Sequence, residues 1–483
     1  MHVLHVAAEC FPVVKVGGLA DVVGALPRYL IRRGLQASVL IPWYGHLDPE
    51  QVRRVGEGEL WIADRRHRYR IWRDQSGWTP FPLYLLEYDG FRPPGVYADP
   101  DTGKPFENEL ARYAVLGHAA AALAAGAAWR TSELTPIDLV HGHDHHAAFT
   151  PLWMRYGVLR SEKPFVLTVH NALYQGRYPW AQVEALRWPA GLPRSSLDHD
   201  GAFNALKAAL LLAERVTTVS PTYARELAEW AGGGLEYVFQ EIAPKLLGIL
   251  NGIDPECWNP AQDANLAVPY DARHLERRQQ NKRALGWRLG LSLDANAFLM
   301  AFIGRLVPEK GVELVLEVVP RWVEAFPEAR LVVLGTGWPD WERAFRELEA
   351  TYPERVRAWL RFDEGLAHLL YGSADVLLMP SRTEPCGLNQ LYALRYGCIP
   401  IVHPTGGLRD TIRPLEQDPR NGTGFWMAAY GAEALFEAIG QARSLWCDPV
   451  RWRALQRRAM REDFSWDRSA SAYQALYEAL VTR

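Results

Sequence analysis

The chain has 483 residues, 48% hydrophobic and 23% charged, which is enough apolar material for two or three cores of ordinary domain size. A formal net charge of −3 and an isoelectric point near 6.6 exclude a global attraction to nucleic acid or to an anionic membrane. No apolar run approaches the roughly 18 residues of a spanning helix, the N-terminus has no basic leader pattern, and five cysteines without CxxC spacing fit reduced thiols in the cytoplasm better than a disulfide frame or a zinc site.

In the first half, apolar β-rich runs at 2–9, 37–44, 137–144, 164–171 and 215–221 alternate with helical patterns, the arrangement of a parallel sheet flanked by helices. Residues 68–88 read as an antiparallel hairpin excursion turning at Gln75-Ser76-Gly77. The basic stretch 65–73 is interleaved like a strand, so it reads as a solvated sheet face rather than a nucleic-acid site. Asn-Gly, Asp-Pro and Asn-Pro signals crowd residues 246–263, the candidate interdomain linker. A second α/β unit follows, with strands expected at 297–306, 329–337, 356–362, 374–382 and 398–407, a helix at 311–326, and a closing amphipathic helix at 465–481.

Ligands of open α/β sheets lie beyond the carboxyl ends of the strands, so the polar residues there carry the functional weight. Only seven of the 53 basic side chains are lysines, and two of them, Lys15 and Lys310, stand beside glycines. Lys15 with Gly17 and Gly18 suits a pyrophosphate, whose charge an ammonium and close-lying N–H groups offset; a tight strand-to-helix turn with a surface lysine is the other reading. The stretch lacks GxGxxG spacing, and no GxxxxGK[ST] occurs. "TGGLRDT", from Thr405, repeats the device in the second half, so both turns are expected to aim N–H groups into the space above their sheets.

"HGHDHH" (141–146) invites a metal, but it has no HExxH spacing or cysteine partner, and no metal is expected. Asp144 is read as an acceptor for hydroxyls or as a helix N-cap. His170 is read as a donor to a substrate hydroxyl or as a satisfied core histidine. Arg305 and Lys310, five residues apart, can clamp a diphosphate or stand as exposed charges. Glu384 precedes a Pro-Cys-Gly turn and a helix start near Gly387 and Leu388, which pairs a carboxylate for sugar hydroxyls with N–H groups for phosphate.

The motifs "KVGGLADVVGALP", "HGHDHHA", "TVHNALYQG", "VTTVSPTYARE", "ILNGIDPECWNP", "GRLVPEKG", "LGTG", "SRTEPCGLNQLYALRYG" and "TGGLRDTI" resemble, in order and approximate spacing, those of bacterial glycogen synthases and plant starch synthases. The resemblance runs from about residue 3 to the "FSWDRSA" tail. It implies the glycogen-phosphorylase type of fold: two Rossmann-like doubly wound domains facing a central cleft. The N-terminal domain would span 1–245 and be rejoined by the C-terminal helix at about 465–483; 246–263 would be the hinge, and 264–464 the nucleotide-sugar domain.

The resemblance further implies a retaining glycosyltransferase that moves glucose from a nucleotide sugar, usually ADP-glucose, to the non-reducing 4-OH of an α-1,4-glucan such as glycogen. No cofactor, metal, nucleic acid or membrane partner is implied. Carried over by motif, His170, Arg305, Lys310 and Glu384 would be catalytic. Lys15, Gly17, Gly18, Tyr97, Phe362, Cys386, Gly387, Leu388 and Thr405 would bind the donor, with Phe362 under the base. Asp144 and Asn251 would lie on the sugar and acceptor side. The chain departs from the family pattern at Val16, His145, Glu309, Arg361 and Asn389, where Glu309 and Arg361 add charge near the expected phosphates or base. Rival readings are a UDP-glucose or small-acceptor enzyme of the same fold, and a non-catalytic glucan-binding protein using some of the 19 tryptophans. A retaining glycosidase would leave the diphosphate-suited cations without a role.

Overall fold

A computed structural model of the chain describes residues 1–45, 48–92, 95–100, 102–127 and 135–482. The chain forms two compact units, Met1–Gly252 with the C-terminal helix from Trp466, and Ile253–Ser465.

The first unit is built on nine strands: β1 (His2–Val6), β2 (Gln36–Pro42), β3 (Val52–Ile62), β4 (Arg65–Asp74), β5 (Leu83–Glu87), β6 (Leu139–His143), β7 (Phe165–Val169), β11 (Arg215–Thr218) and β12 (Leu246–Gly248). The remaining labels of this half, β8 (Arg177–Tyr178), β9 (Asp198–His199) and β10 (Ala202–Asn204), form a small antiparallel sheet. The large sheet runs β12-β11-β7-β6-β1-β2-β5-β4-β3. β1 and β7 are buried along their whole length, which is why they read as unbroken rather than alternating apolar runs. The expected hairpin is β4–β5, antiparallel from Arg70↔Glu87 to Arg73↔Tyr84. The sequence reading did not name β3, which pairs with β4 and extends this antiparallel edge.

The helix Trp466–Val481 buries Trp466, Ala470, Tyr473 and Tyr477, spaced for one helical face, against Val22, Leu26 and Tyr29 of the helix Gly18–Arg32. Aromatic side chains of this kind bury on the order of 150–250 Å² each, so the chain's last segment is part of the first unit's core. The segment read as a linker begins inside this unit, because Leu246–Gly248 pair with β11 as a sheet-edge strand.

The second unit holds β13 (Phe298–Ile303), β14 (Ala329–Leu334), β15 (Val356–Trp359), β16 (Val376–Met379), β17 (Ile399–Val402) and β18 (Phe425–Trp426), ordered β15-β14-β13-β16-β17-β18. All pair in parallel. Its two ends are clasped where Ile253 N–H donates to the Phe464 carbonyl at 2.8 Å. Both units are doubly wound α/β sheets with helices on their faces. Among the described residues, no helix is long and apolar enough to cross a membrane.

Candidate active site

Each sheet has a point where successive crossovers turn in opposite directions, and such switch points are where α/β sheets bind ligands. In the first unit that point lies between β1 and β6. Beyond β1 stands Glu9, only 1% exposed. Its carboxylate accepts the N–H of Val16, the N–H of Gly17 at 3.1 Å and the hydroxyl of Tyr97 at 2.7 Å. Burial pushes the Glu9 carboxyl up, and these three hydrogen bonds pull it back. Gly17 is the N-cap of the helix that Gly18 opens, so a carboxylate already takes one of the N–H groups expected to face a ligand, that of Gly17. Lys15 pairs with Asp21 in the helix's first turn at 2.7 Å and lies over the Phe11 ring at 5.5 Å. Of the "RPPGVYAD" motif around Tyr97, Pro93 and Pro94 lie outside the described residues.

Beyond β6, Asp144 sits at φ 56°, ψ −173°, a conformation left largely to glycine and retained in proteins where its surroundings enforce it. Its side chain caps no helix; Oδ1 accepts the N–H of His170 at 2.7 Å, tying the end of β6 to the end of β7. Burial lifts the Asp144 carboxyl to about 7 against the pull of the His170 and Asn171 N–H groups. His170 is half-buried, and its Nε2 lies 3.1 Å from Nδ1 of His143, whose Nε2 lies 3.1 Å from Nδ1 of His5. Burial holds His5 and His170 down to about 3, and His141 and His143 well below the usual range, so these rings are neutral. Asn251 is buried, and its Oδ1 has no partner among the described residues.

The His5, His141 and His143 rings bring nitrogens within 4.8 Å of one another, the spacing of a metal site. Both nitrogens of His143 are engaged by His5 and His170, and both of His141 by Tyr477 at 2.7 Å and Thr168 at 2.6 Å. The cluster is therefore built as a hydrogen-bonded core rather than as convergent lone pairs.

In the second unit the switch lies between β13 and β16. Lys310 Nζ donates to both carboxylate oxygens of Glu384, at 2.7 and 2.6 Å, and Ser381 Oγ donates to Glu384 Oε2 at 3.0 Å. Glycine makes this approach possible: a Cβ at Gly311, φ +67°, would fall 2.0 Å from the Pro380 carbonyl oxygen. Arg305 is exposed and makes no side-chain hydrogen bond or ion pair among the described residues. Leu388 is the N-cap of the helix Asn389–Tyr396, and the N–H groups of Gly387 and Leu388 reach no protein acceptor among the described residues. The helix's first turn thus leaves donors for an anion.

The second glycine pair does something else. Gly407 N–H donates to the Glu384 carbonyl at 3.0 Å, and Cβ atoms at Gly406 and Gly407 would fall 2.0 Å from the carbonyl oxygens of Glu384 and Cys386. "TGGL" lets one backbone lie on another, with Thr405 and Cys386 buried at that contact. Phe362 is 81% exposed on the loop after β15, whereas the neighbouring Arg361 guanidinium lies 4.0 Å over the Trp359 ring, away from any stacking role at Phe362. Asn389 donates to the Ile303 carbonyl at 2.7 Å, and Glu309 accepts the Arg382 N–H at 2.9 Å on its backbone.

Sequence reasoning missed Glu9 and His5. Both stand in or just after a buried strand, and a polar residue interrupting an apolar run was the available signal.

The starch synthase catalytic domain family matches residues 2–241, and the family of glycosyl transferases group 1 matches 288–457. A glycogen synthase of Anaeromyxobacter sp. is 40% identical with both chains fully covered, and one of Cellvibrio japonicus is 37% identical over the same shares. Among solved structures, the catalytic domain of starch synthase IV from Arabidopsis thaliana, bound to ADP and acarbose, is similar at TM-score 0.86 and 32% identity, covering 100% of this chain and 99% of that one. Sucrose-phosphate synthase from Thermosynechococcus elongatus, at 18% identity and TM-score 0.62 over 100% and 99% of the two chains, shares the fold.

Proposed function

The chain belongs to the glycogen and starch synthase family of glycosyltransferases, and from that premise we propose that it transfers glucose from ADP-glucose to the non-reducing 4-OH of an α-1,4-glucan with retention at the anomeric carbon. The observation that carries the reading is the grip of Lys310 on Glu384 beside exposed Arg305 and the open N–H groups of Gly387 and Leu388. This set pairs diphosphate-binding cations with a carboxylate suited to sugar hydroxyls. An ADP ligand in the starch synthase relative supports the donor class.

At rest Glu384 neutralises Lys310. When donor binds, Lys310 and Arg305 take the diphosphate oxygens with the N–H groups of Gly387 and Leu388, beside Cys386 and Thr405. Glu384 then turns its oxygens to the glucosyl hydroxyls. Charge builds on the departing diphosphate as the glycosidic bond stretches toward an oxocarbenium-like state, and donors already aimed there lower the barrier. The acceptor hydroxyl attacks from the face the diphosphate leaves, giving its proton to that phosphate. No covalent nucleophile takes part.

On the first unit, Lys15 exchanges Asp21 for a donor phosphate, which lies against the bare backbone of Gly17 and Gly18 and takes the Gly18 N–H, while the Gly17 N–H stays on Glu9, which with Tyr97 holds the loop. His170, Asp144 and Asn251 serve the glucosyl and acceptor hydroxyls, and Phe362 stacks on the base. The five cysteines, none of them in a disulfide, fit a reaction run in the reducing cytoplasm.

The test is stereochemical. Proton NMR of maltotriose extended with ADP-glucose should show new α-1,4 anomeric signals. A β-linked product, or free glucose in place of extension, would contradict the reading.

A further inference from the structure

We propose that His143 and His5 are positioning residues for His170: a one-way hydrogen-bond relay through their rings holds the proton of His170 on Nδ1, the nitrogen left for substrate. The proposal rests on the role given to His170 above.

The chain of contacts is His170 Nε2 to His143 Nδ1 at 3.1 Å, then His143 Nε2 to His5 Nδ1 at 3.1 Å, ending at His5 Nε2, which is buried without a partner among the described residues. A neutral imidazole carries one N–H and one bare nitrogen, so each ring-to-ring bond dictates what the other nitrogen must be. Only two arrangements satisfy both bonds. In one, every ring is protonated on Nε2, and His5 ends the relay with a buried N–H that meets no acceptor. In the other, every ring is protonated on Nδ1; His5 donates to His143, His143 donates to His170, and the dry end carries only a lone pair. Orphaned N–H groups in a protein interior are the rarer and costlier defect, which selects the second arrangement.

The surroundings enforce the direction. His5 and His143 are fully buried, while His170 is half-buried and makes no hydrogen bond through Nδ1 among the described residues, so that end is the one that can meet water or a hydroxyl. His141 walls the dry end, its ring 5.0 Å from that of His5 and 4.3 Å from that of His143, with both its nitrogens committed to Tyr477 and Thr168. It offers His5 Nε2 neither donor nor acceptor. The neutral state of all three relay rings, already attributed to burial, is what such a relay needs. His170 thus presents an N–H donor to a sugar oxygen without a charge.

The experiment is two-bond nitrogen–proton correlation spectroscopy of the substrate-free protein labelled with ¹⁵N-histidine, with His170 signals identified by their loss in His170→Gln. The expected spectrum has His170 protonated on Nδ1 and bare on Nε2. His143→Asn, whose amide nitrogen stands near the place of Nδ1 and still donates to His170, should keep that tautomer and most of kcat. His143→Leu should release the tautomer into a mixture and lower kcat roughly tenfold or more, as losing an outer partner of a working imidazole does, with little change in KM. A His170 protonated on Nε2 in the unmodified protein overturns the proposal, as does a His143→Leu protein with unchanged tautomer and kcat. Because the spectra need no substrate, a protein showing the Nδ1 tautomer but transferring no glucose would keep the relay and lose the functional reading instead.

Discussion

Lys310 and Glu384, 74 residues apart in the chain, meet with the ammonium on both carboxylate oxygens at 2.7 and 2.6 Å. The pair couples the group assigned to the leaving diphosphate to the group assigned to the sugar. Lys310→Ala and Arg305→Ala should each lower kcat by two or more powers of ten, about the 2.7–4 kcal/mol that follows removal of one preorganised donor. For Lys310 the loss should be strongly non-additive with that of Glu384→Ala, since each variant leaves the other's partner without its resting contact. Steady-state kinetics of the two single variants and the double variant measure this; independent, additive losses would separate the two roles.

Glu9 holds the loop that carries Lys15. Glu9→Ala leaves two backbone N–H groups and the Tyr97 hydroxyl without their acceptor, a loss of about 1–3 kcal/mol for each group that stays buried. The expected result is a lower melting temperature together with a raised KM for donor. Tyr97→Phe, which removes one of the three bonds, should do less of both.

Asp144 gives stability a pH slope of known sign. Its carboxyl, near 3.8 in the unfolded chain, is lifted by burial to about 7 in the fold, so the folded state binds the extra proton between those values. Stability from this group is therefore present below the unfolded value and is lost as pH rises toward the folded one. Relative to Asp144→Asn, the unmodified protein should lose up to about 4 kcal/mol between pH 4 and pH 7 and hold steady above. Denaturant midpoints of the two proteins across that range read the difference directly; an unmodified protein that gains stability relative to Asp144→Asn as pH rises would contradict the assignment.

Phe362 offers an 81% exposed ring with nothing of the core resting on it. Phe362→Ala should leave the melting temperature unchanged and raise KM for the donor, since stacking a base on an aromatic ring contributes about 1–3 kcal/mol. Phe362→Tyr should restore it. An unchanged KM in the alanine variant would move the base elsewhere.

Much of this was legible because strand ends announce themselves. Apolar runs stopping near Asp144, His170, Arg305 and Glu384 placed these residues at carboxyl ends, and the second sheet's parallel strands followed from the same pattern. The two "GGL" turns were legible as strand-to-helix turns but not in their use. Gly17 gives its N–H to Glu9, and Gly407 to the Glu384 carbonyl, and neither partner can be inferred from local spacing. His5 reads in sequence as one polar residue in a buried strand; only the register that sets it opposite His141 on β6 shows it as the end of a relay. β3 was missed because its charged and glycine residues dilute the alternation that would have marked it.

Central to the account is glucosyl transfer from ADP-glucose, and its most direct test mixes the protein with glycogen and either ADP-glucose or UDP-glucose. Nucleoside diphosphate release and glucose incorporated into polymer are measured together. The account expects equal release and incorporation with ADP-glucose, well above that with UDP-glucose. Faster incorporation from UDP-glucose, or diphosphate release without incorporation, would contradict it.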